Sequence, residues 1–176
     1  MISTHPLAGV YAAAVTPLRD SDSNLDFESI PVLLKFLADR GCHGAVLFGT
    51  TGEGPSFSPT EREALMRSAR AYRNQLRGFR LIAGTGTPSL SETIELTKLA
   101  FELGYDAALV VPPYYFRKAT DDGLFAWFSE LIKKAVPSDR YILGYHFPNV
   151  AGIGFSIELL SRLKDAFPVQ FAGIKD

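Results

Sequence analysis

The chain has 176 residues, 47% of them hydrophobic, which is enough to bury a sizeable core as one domain over residues 1–176. A formal net charge of −1, with no basic stripe, argues against a nucleic-acid or anionic-membrane partner. The lone cysteine, Cys42, cannot close an internal disulfide, residues 1–6 hold no apolar signal core, and no apolar run approaches the ~20 residues of a membrane span; the expectation is a soluble, cytoplasmic protein.

Residues 10–16 are a near-continuous apolar run closed by Pro17, the pattern of a strand covered on both faces. Asp26 or Ser29 can cap a helix running to about Arg40, with Ile30, Leu33, Leu34 and Leu37 on one face. A second strand over 45–48 leads into the loop Gly49-Thr50-Thr51-Gly52-Glu53-Gly54. Ser58-Pro59-Thr60-Glu61 then combines a cap, a proline at the first helical position and a capping-box glutamate. A third strand covers 80–83, and Ser89 or Ser91 caps a helix to Leu103. A fourth strand, 107–111, stops at Pro112-Pro113 and is followed by Tyr114-Tyr115-Phe116-Arg117. Asp121 or Asp122 caps a helix to about Ala135. The fifth strand is 141–145, with residues 146–154 as its loop. Ser156 caps a helix to about Ala166, and 169–175 forms a short buried sixth strand.

Strict alternation of strand and helix with short connections implies an α/β protein with a parallel sheet. A doubly wound sheet and a (β/α)8 barrel compete. Thr16-Pro17 follows the first strand where a dinucleotide-binding sheet would carry its glycine fingerprint. Thr16, Thr50, Thr51, Tyr115, Tyr145 and Lys175 cluster at the C-terminal ends of several different strands, as a barrel active site requires. The expectation is a TIM barrel of which six of eight units are present. A complete barrel takes about 250 residues, so the reading is a chain truncated after strand six. At this length it would expose two unpaired strand edges and aggregate.

Lys175 closes the last strand. A lysine there is by default a snorkelling surface residue. At the open end of a barrel it can instead face the pocket. The free side chain has a pKa near 10.4, and burial can lower a lysine by up to about 3–5 units. The neutral amine then attacks a ketone to give an imine, an electron sink for making or breaking the adjacent carbon–carbon bond. The glycines around Thr50 and Thr51 are by default turn residues; in function they would let backbone N–H groups and two hydroxyls seat a small carboxylate. Tyr145 and Tyr115 are by default packed aromatics; a hydroxyl near the lysine would shuttle protons. His5, His43 and His146 lack metal-ligand spacing, and Gly84-Thr85-Gly86 is too short to hold a nucleotide, so no metal or cofactor is expected. Asp121-Asp122 reads as a helix cap rather than a carboxylate pair.

Taken together, Gly49-Thr50-Thr51-Gly52-Glu53, Pro113-Tyr114-Tyr115, Tyr145-His146-Phe147-Pro148 and Gly173-Ile174-Lys175-Asp176 resemble, in order and spacing, the dihydrodipicolinate synthase / N-acetylneuraminate lyase family. The resemblance runs from Gly9 to Asp176. It implies a (β/α)8, class I, pyruvate-handling enzyme in which Lys175 forms the imine with pyruvate or another 2-oxo acid. Tyr145 would transfer the proton, and Thr50 would link Tyr145 to Tyr115 in a hydroxyl relay. Thr51 and nearby backbone amides, with Gly52 in the same loop, would hold the carboxylate. The resemblance further implies a homo-oligomer, a dimer of dimers, with Tyr115 donated across a dimer interface. One position departs from the synthase pattern: Val150 stands where synthases carry an arginine for the aldehyde's carboxylate. Hydrogen bonds to charged groups are worth about 1.5–3 kcal/mol, so valine forfeits on the order of tenfold or more in affinity.

The leading expectation is therefore a Schiff-base lyase or aldolase with a 2-oxo acid such as pyruvate and an aldehyde as small-molecule partners. The alternatives are 4-hydroxy-tetrahydrodipicolinate synthase (pyruvate plus aspartate semialdehyde), a 2-oxo acid dehydratase or hydratase-aldolase, and a non-catalytic 2-oxo acid-binding barrel.

Overall fold

Apolar strands and capped helices alternate along residues 5–176, the part of the chain that the computed structural model describes. The strands are β1 (Tyr11–Ala13), β2 (Gly44–Leu47), β3 (Arg80–Gly84), β4 (Ala107–Val110), β5 (Tyr141–Tyr145) and β6 (Phe171–Lys175). Between them lie the helices α1 (Ser29–Asp39), α2 (Pro59–Arg73), α3 (Leu90–Glu102), α4 (Asp121–Ala135), α5 (Pro148–Ala151) and α6 (Ile157–Ala166). The strands hydrogen-bond in one sheet in the order β1-β2-β3-β4-β5-β6. Every strand lies beside its successor in the chain. A doubly wound sheet reverses its order at a switch point, so sequential order selects the winding of a (β/α)8 barrel, of which six strands are present.

The chain divides at Ile82/Ala83 into two compact units. In the first, β1 pairs parallel with β2, and Ile30, Leu34, Leu65, Met66 and Ala69 are buried from α1 and α2. In the second, β4, β5 and β6 pair in parallel. Behind them Leu124, Phe128, Leu131 and Ile132 of α4 meet Ile142, Phe171 and Leu159 in one core. Phe155 sits within this core, with ring centroids 5.2 Å from Phe128 and 6.4 Å from Phe171. Gly144 leaves the space it occupies, since a Cβ there would lie 2.6 Å from the Phe155 ring.

The caps follow the sequence closely. Ser58 accepts from Glu61 N–H while the Glu61 carboxylate accepts from Ser58 N–H, a complete capping box. Ser89 and Ser156 cap α3 and α6. Three expectations are corrected. Thr120, rather than Asp121 or Asp122, caps α4, its hydroxyl accepting from Gly123 N–H; the two aspartates instead occupy the first turn, where negative charge suits the helix dipole. Glu28 occupies the N-cap position of α1 without a side-chain bond, and Asp26 accepts from the N–H groups of both Glu28 and Ser29. Val10 and Val15 are exposed, so the first strand is shorter than its apolar run and not covered on both faces.

Removing a fully buried ring from a core costs about 3–5 kcal/mol. Phe128→Ala is therefore expected to lower the unfolding free energy by that amount, read from urea melts as a shifted midpoint at unchanged slope.

Candidate active site at the end of the last strand

The arrangement around Lys175 depends on one irregularity. Ile142 pairs with Phe171, but Leu143 pairs with Gly173, so Ala172 is an extra residue in β6. Side chains alternate along a strand. Simple alternation from Phe171 would put Lys175 on the same face as Phe171, toward the helix-packed core. The bulge reverses this. Gly144 then pairs with Ile174 and Tyr145 with Lys175, on the face opposite Ile142 and Phe171. Gly173 takes φ +156°, a conformation that L side chains rarely adopt, which is why glycine stands at the bulge.

The pairing brings the Lys175 amine over the Tyr145 ring, with Nζ 4.2 Å from the ring centroid. Tyr145 in turn stacks on Phe147 at 5.5 Å. Both Lys175 and Tyr145 are half-buried. One further rung follows the strand end: His146 N–H donates to the Lys175 carbonyl at 2.8 Å. The His146 Nδ1 accepts from Phe155 N–H at 3.0 Å, tying this rung to the ring that fills the core behind. His146, which has no metal-ligand spacing with the other histidines, instead positions the backbone at the end of β5 and β6. The short helix α5, also absent from the sequence reading, begins at Pro148 directly after Phe147 and ends on Gly152 in the left-handed region, φ +68°.

The other expected residues are distributed as follows. Thr50, Thr51 and Gly52 lie in the first unit, on the turn after β2. Gly52 is buried, and its carbonyl accepts from the Thr16 hydroxyl at 2.6 Å; a Cβ there would meet the Ala14 carbonyl at 2.8 Å. Phe48 and Glu53 take positive φ at the two ends of this loop. Arg62 of α2, nearly fully buried, donates to the carbonyls of Gly54 and Phe57 and clamps the loop from behind. No motif in the sequence marked Arg62, because a charged helix residue normally reads as solvated. Thr50 and Thr51 themselves are exposed. Tyr115, in the second unit, is 75% exposed and packs edge-on against the equally open Phe116 at 5.1 Å. Val150 is exposed on α5. Among the expected site residues, the structure sets the Lys175 amine directly against the Tyr145 ring.

Fold and site together define a (β/α)-barrel protein whose sixth strand presents a lysine against a tyrosine of the fifth. Residues 6–176 match the family model for the dihydrodipicolinate synthetase family, and the chain belongs to that family. It is 39% identical over 168 residues to an uncharacterized DapA-like lyase of Chloroflexus aurantiacus, covering 96% of this chain and 55% of that protein. It is 36% identical to 4-hydroxy-tetrahydrodipicolinate synthase of Ruthia magnifica, covering 98% and 55%. Among solved structures it resembles dihydrodipicolinate synthase of Agrobacterium tumefaciens, with TM-score 0.88, 36% identity and coverage of 96% and 57%. The pyruvate complex of the Acinetobacter baumannii synthase aligns with TM-score 0.85, 33% identity and coverage of 96% and 55%. The chain spans about half the length of the curated relatives it matches.

Strain at a position held outside the usual backbone regions costs about 1–3 kcal/mol. Gly173→Ala is expected to destabilise the protein by that amount or to drive β6 out of its bulged register. Denaturant melts read the first effect. Loss of amide protection at His146, whose N–H is bonded to Lys175, reads the second.

Proposed function

We propose that the protein is a Schiff-base lyase or aldolase: Lys175 forms an imine with a 2-oxo acid, pyruvate being one partner, and an aldehyde is the other. The observation that carries this is the bulged pairing that sets the Lys175 amine against Tyr145 at the C-terminal ends of adjacent strands. A packed lysine with a purely structural role needs neither the extra residue nor the tyrosine.

In the cleavage direction the amine attacks the 2-oxo carbon and water leaves, giving the imine. Tyr145, as base, takes the proton from the hydroxyl two carbons beyond the imine carbon. The bond between that carbinol carbon and its neighbour breaks, its electrons form the carbon–carbon double bond of an enamine as the imine π pair moves onto nitrogen, and the aldehyde departs. Protonation of the enamine and hydrolysis release pyruvate and free the amine. A positioned general base of this kind is worth about 10²–10⁴ in rate. Thr51 and the amides around Gly52 are assigned to the 2-oxo acid carboxylate. Thr50 is assigned to the relay joining Tyr145 and Tyr115. The exposed Tyr115–Phe116 pair suits a contact between copies of the chain, the step that would bring Tyr115 to a site and build a dimer of dimers.

The second reading is 4-hydroxy-tetrahydrodipicolinate synthase, favoured by the names of several relatives at about 36% identity. Val150 disfavours it, because no guanidinium stands at that position to meet the carboxylate of aspartate semialdehyde. The imine chemistry is common to both.

Incubation of the full-length protein with pyruvate and borohydride, followed by peptide mass spectrometry, tests the reading. A reduced pyruvyl adduct on Lys175 is expected, absent in Lys175→Arg; no adduct on the unsubstituted protein would sink the proposal. Tyr145→Phe is expected to lower kcat by about 10²–10⁴ while the folded protein still binds pyruvate.

A further inference from the structure

Arg117 is a cation for which neither the fold nor the proposed chemistry yet has a use. It follows the end of β4 and is exposed. Among the described residues its guanidinium makes no hydrogen bond or ion pair. The acids at the start of α4 do not neutralise it: Asp121 accepts from the Ser156 hydroxyl, and Asp122 pairs with Arg162 at 2.8 Å. Yet the side chain is seated. Its Cγ and Cδ lie 2.6 Å, and its Nε 2.9 Å, from where a Cβ on Gly152 would stand. Gly152 ends α5 at φ +68°, so the turn that follows the Tyr145 strand closes with a bare backbone surface against the arginine stem.

The connection to the site is short. Tyr145 stacks on Phe147, Phe147 leads into α5, and Gly152 N–H closes α5 onto the Pro148 carbonyl. Arg117 comes from the C-terminal end of the neighbouring strand, so both loops lie on the rim that carries the Lys175 amine. A long flexible cation left free on a surface sweeps many rotamers. One laid across a glycine of the adjacent loop has lost part of that freedom before any ligand arrives, and a planar guanidinium is the group best matched to a bidentate oxyanion.

We propose that Arg117 is a specificity-determining residue that binds an anionic group, a carboxylate or a phosphate, on the part of the substrate that leaves as the aldehyde. The inference rests on the imine reading above and narrows it: the aldehyde partner carries an oxyanion, and the charge that selects it comes from the β4 loop, Val150 of α5 being apolar.

The test compares three acceptors condensed with pyruvate by the full-length protein: succinic semialdehyde (carboxylate), glyceraldehyde 3-phosphate (phosphate) and glyceraldehyde (neutral). The unsubstituted protein is expected to prefer one of the anionic acceptors, and which one it prefers distinguishes the two oxyanions. Arg117→Ala is expected to lose about tenfold or more in kcat/KM for that acceptor, mostly through KM, with glyceraldehyde unaffected and borohydride trapping of pyruvate on Lys175 retained. Arg117→Lys is expected to recover part of the loss. Equal losses with all three acceptors, no loss with the anionic ones, or no anionic preference in the unsubstituted protein overturns the inference. If trapping succeeds in those cases, the imine reading survives alone; if trapping fails in the unsubstituted protein, both fall.

Discussion

The extra residue in β6 is the constraint on which the rest of the candidate site depends. Side chains on a strand alternate, so a shift of one residue exchanges its two faces. Phe171 must face the helices, where it joins Ile142, Phe155 and Leu159 in the core. Lys175 lies four residues on, and unbroken alternation would commit it to the same side. Burying its charge among those rings without a partner would cost several kcal/mol. Ala172 removes the conflict by absorbing one position, and Gly173 accepts the backbone angle that the bulge imposes. Strand end and core can then each be satisfied, and the lysine emerges beside Tyr145.

What lies behind the strands holds this geometry in place. Phe155 occupies the space left by Gly144 and meets Phe128 of α4 and Phe171 of β6, so one ring braces the two strands from the helix side. His146 binds the N–H of that same residue through Nδ1 and the Lys175 carbonyl through its own N–H. Core packing and site geometry therefore share atoms. In the first unit, Arg62 and Thr16 play the corresponding part for the Thr50–Thr51 loop, holding its carbonyls from two sides while the threonine side chains stay open.

Much of this was legible in the sequence because it rests on local rules. The capping box at Ser58, the caps at Ser89 and Ser156 and the apolar run 141–145 each declare themselves within a few residues. The parallel sheet followed from strict alternation, and the barrel from the missing dinucleotide fingerprint together with the polar residues at strand ends. Lys175 and Tyr145 were legible as strand-end residues of the right chemistry. The bulge was not, because a run such as Phe171-Ala172-Gly173-Ile174-Lys175 reads as regular until its partner strand is known; Gly173 was the one local hint. Arg62 and His146 were missed for a related reason. Their partners are backbone groups on loops that only the fold brings within reach. Thr120 lost to the neighbouring aspartates because all three are good caps and the choice lies in where the helix begins.

On the function proposed, the bulged β5–β6 pair delivers Lys175 to a 2-oxo acid under the Tyr145 side chain. The decisive measurement is a crystal structure of the full-length protein grown with pyruvate. Continuous electron density from Lys175 Nζ to the C2 carbon of pyruvate is expected, with Ala172 still bulged and the Tyr145 hydroxyl within hydrogen-bond distance of the adduct. Pyruvate bound without a bond to Nζ, or Lys175 turned to the face of Phe171, would contradict it.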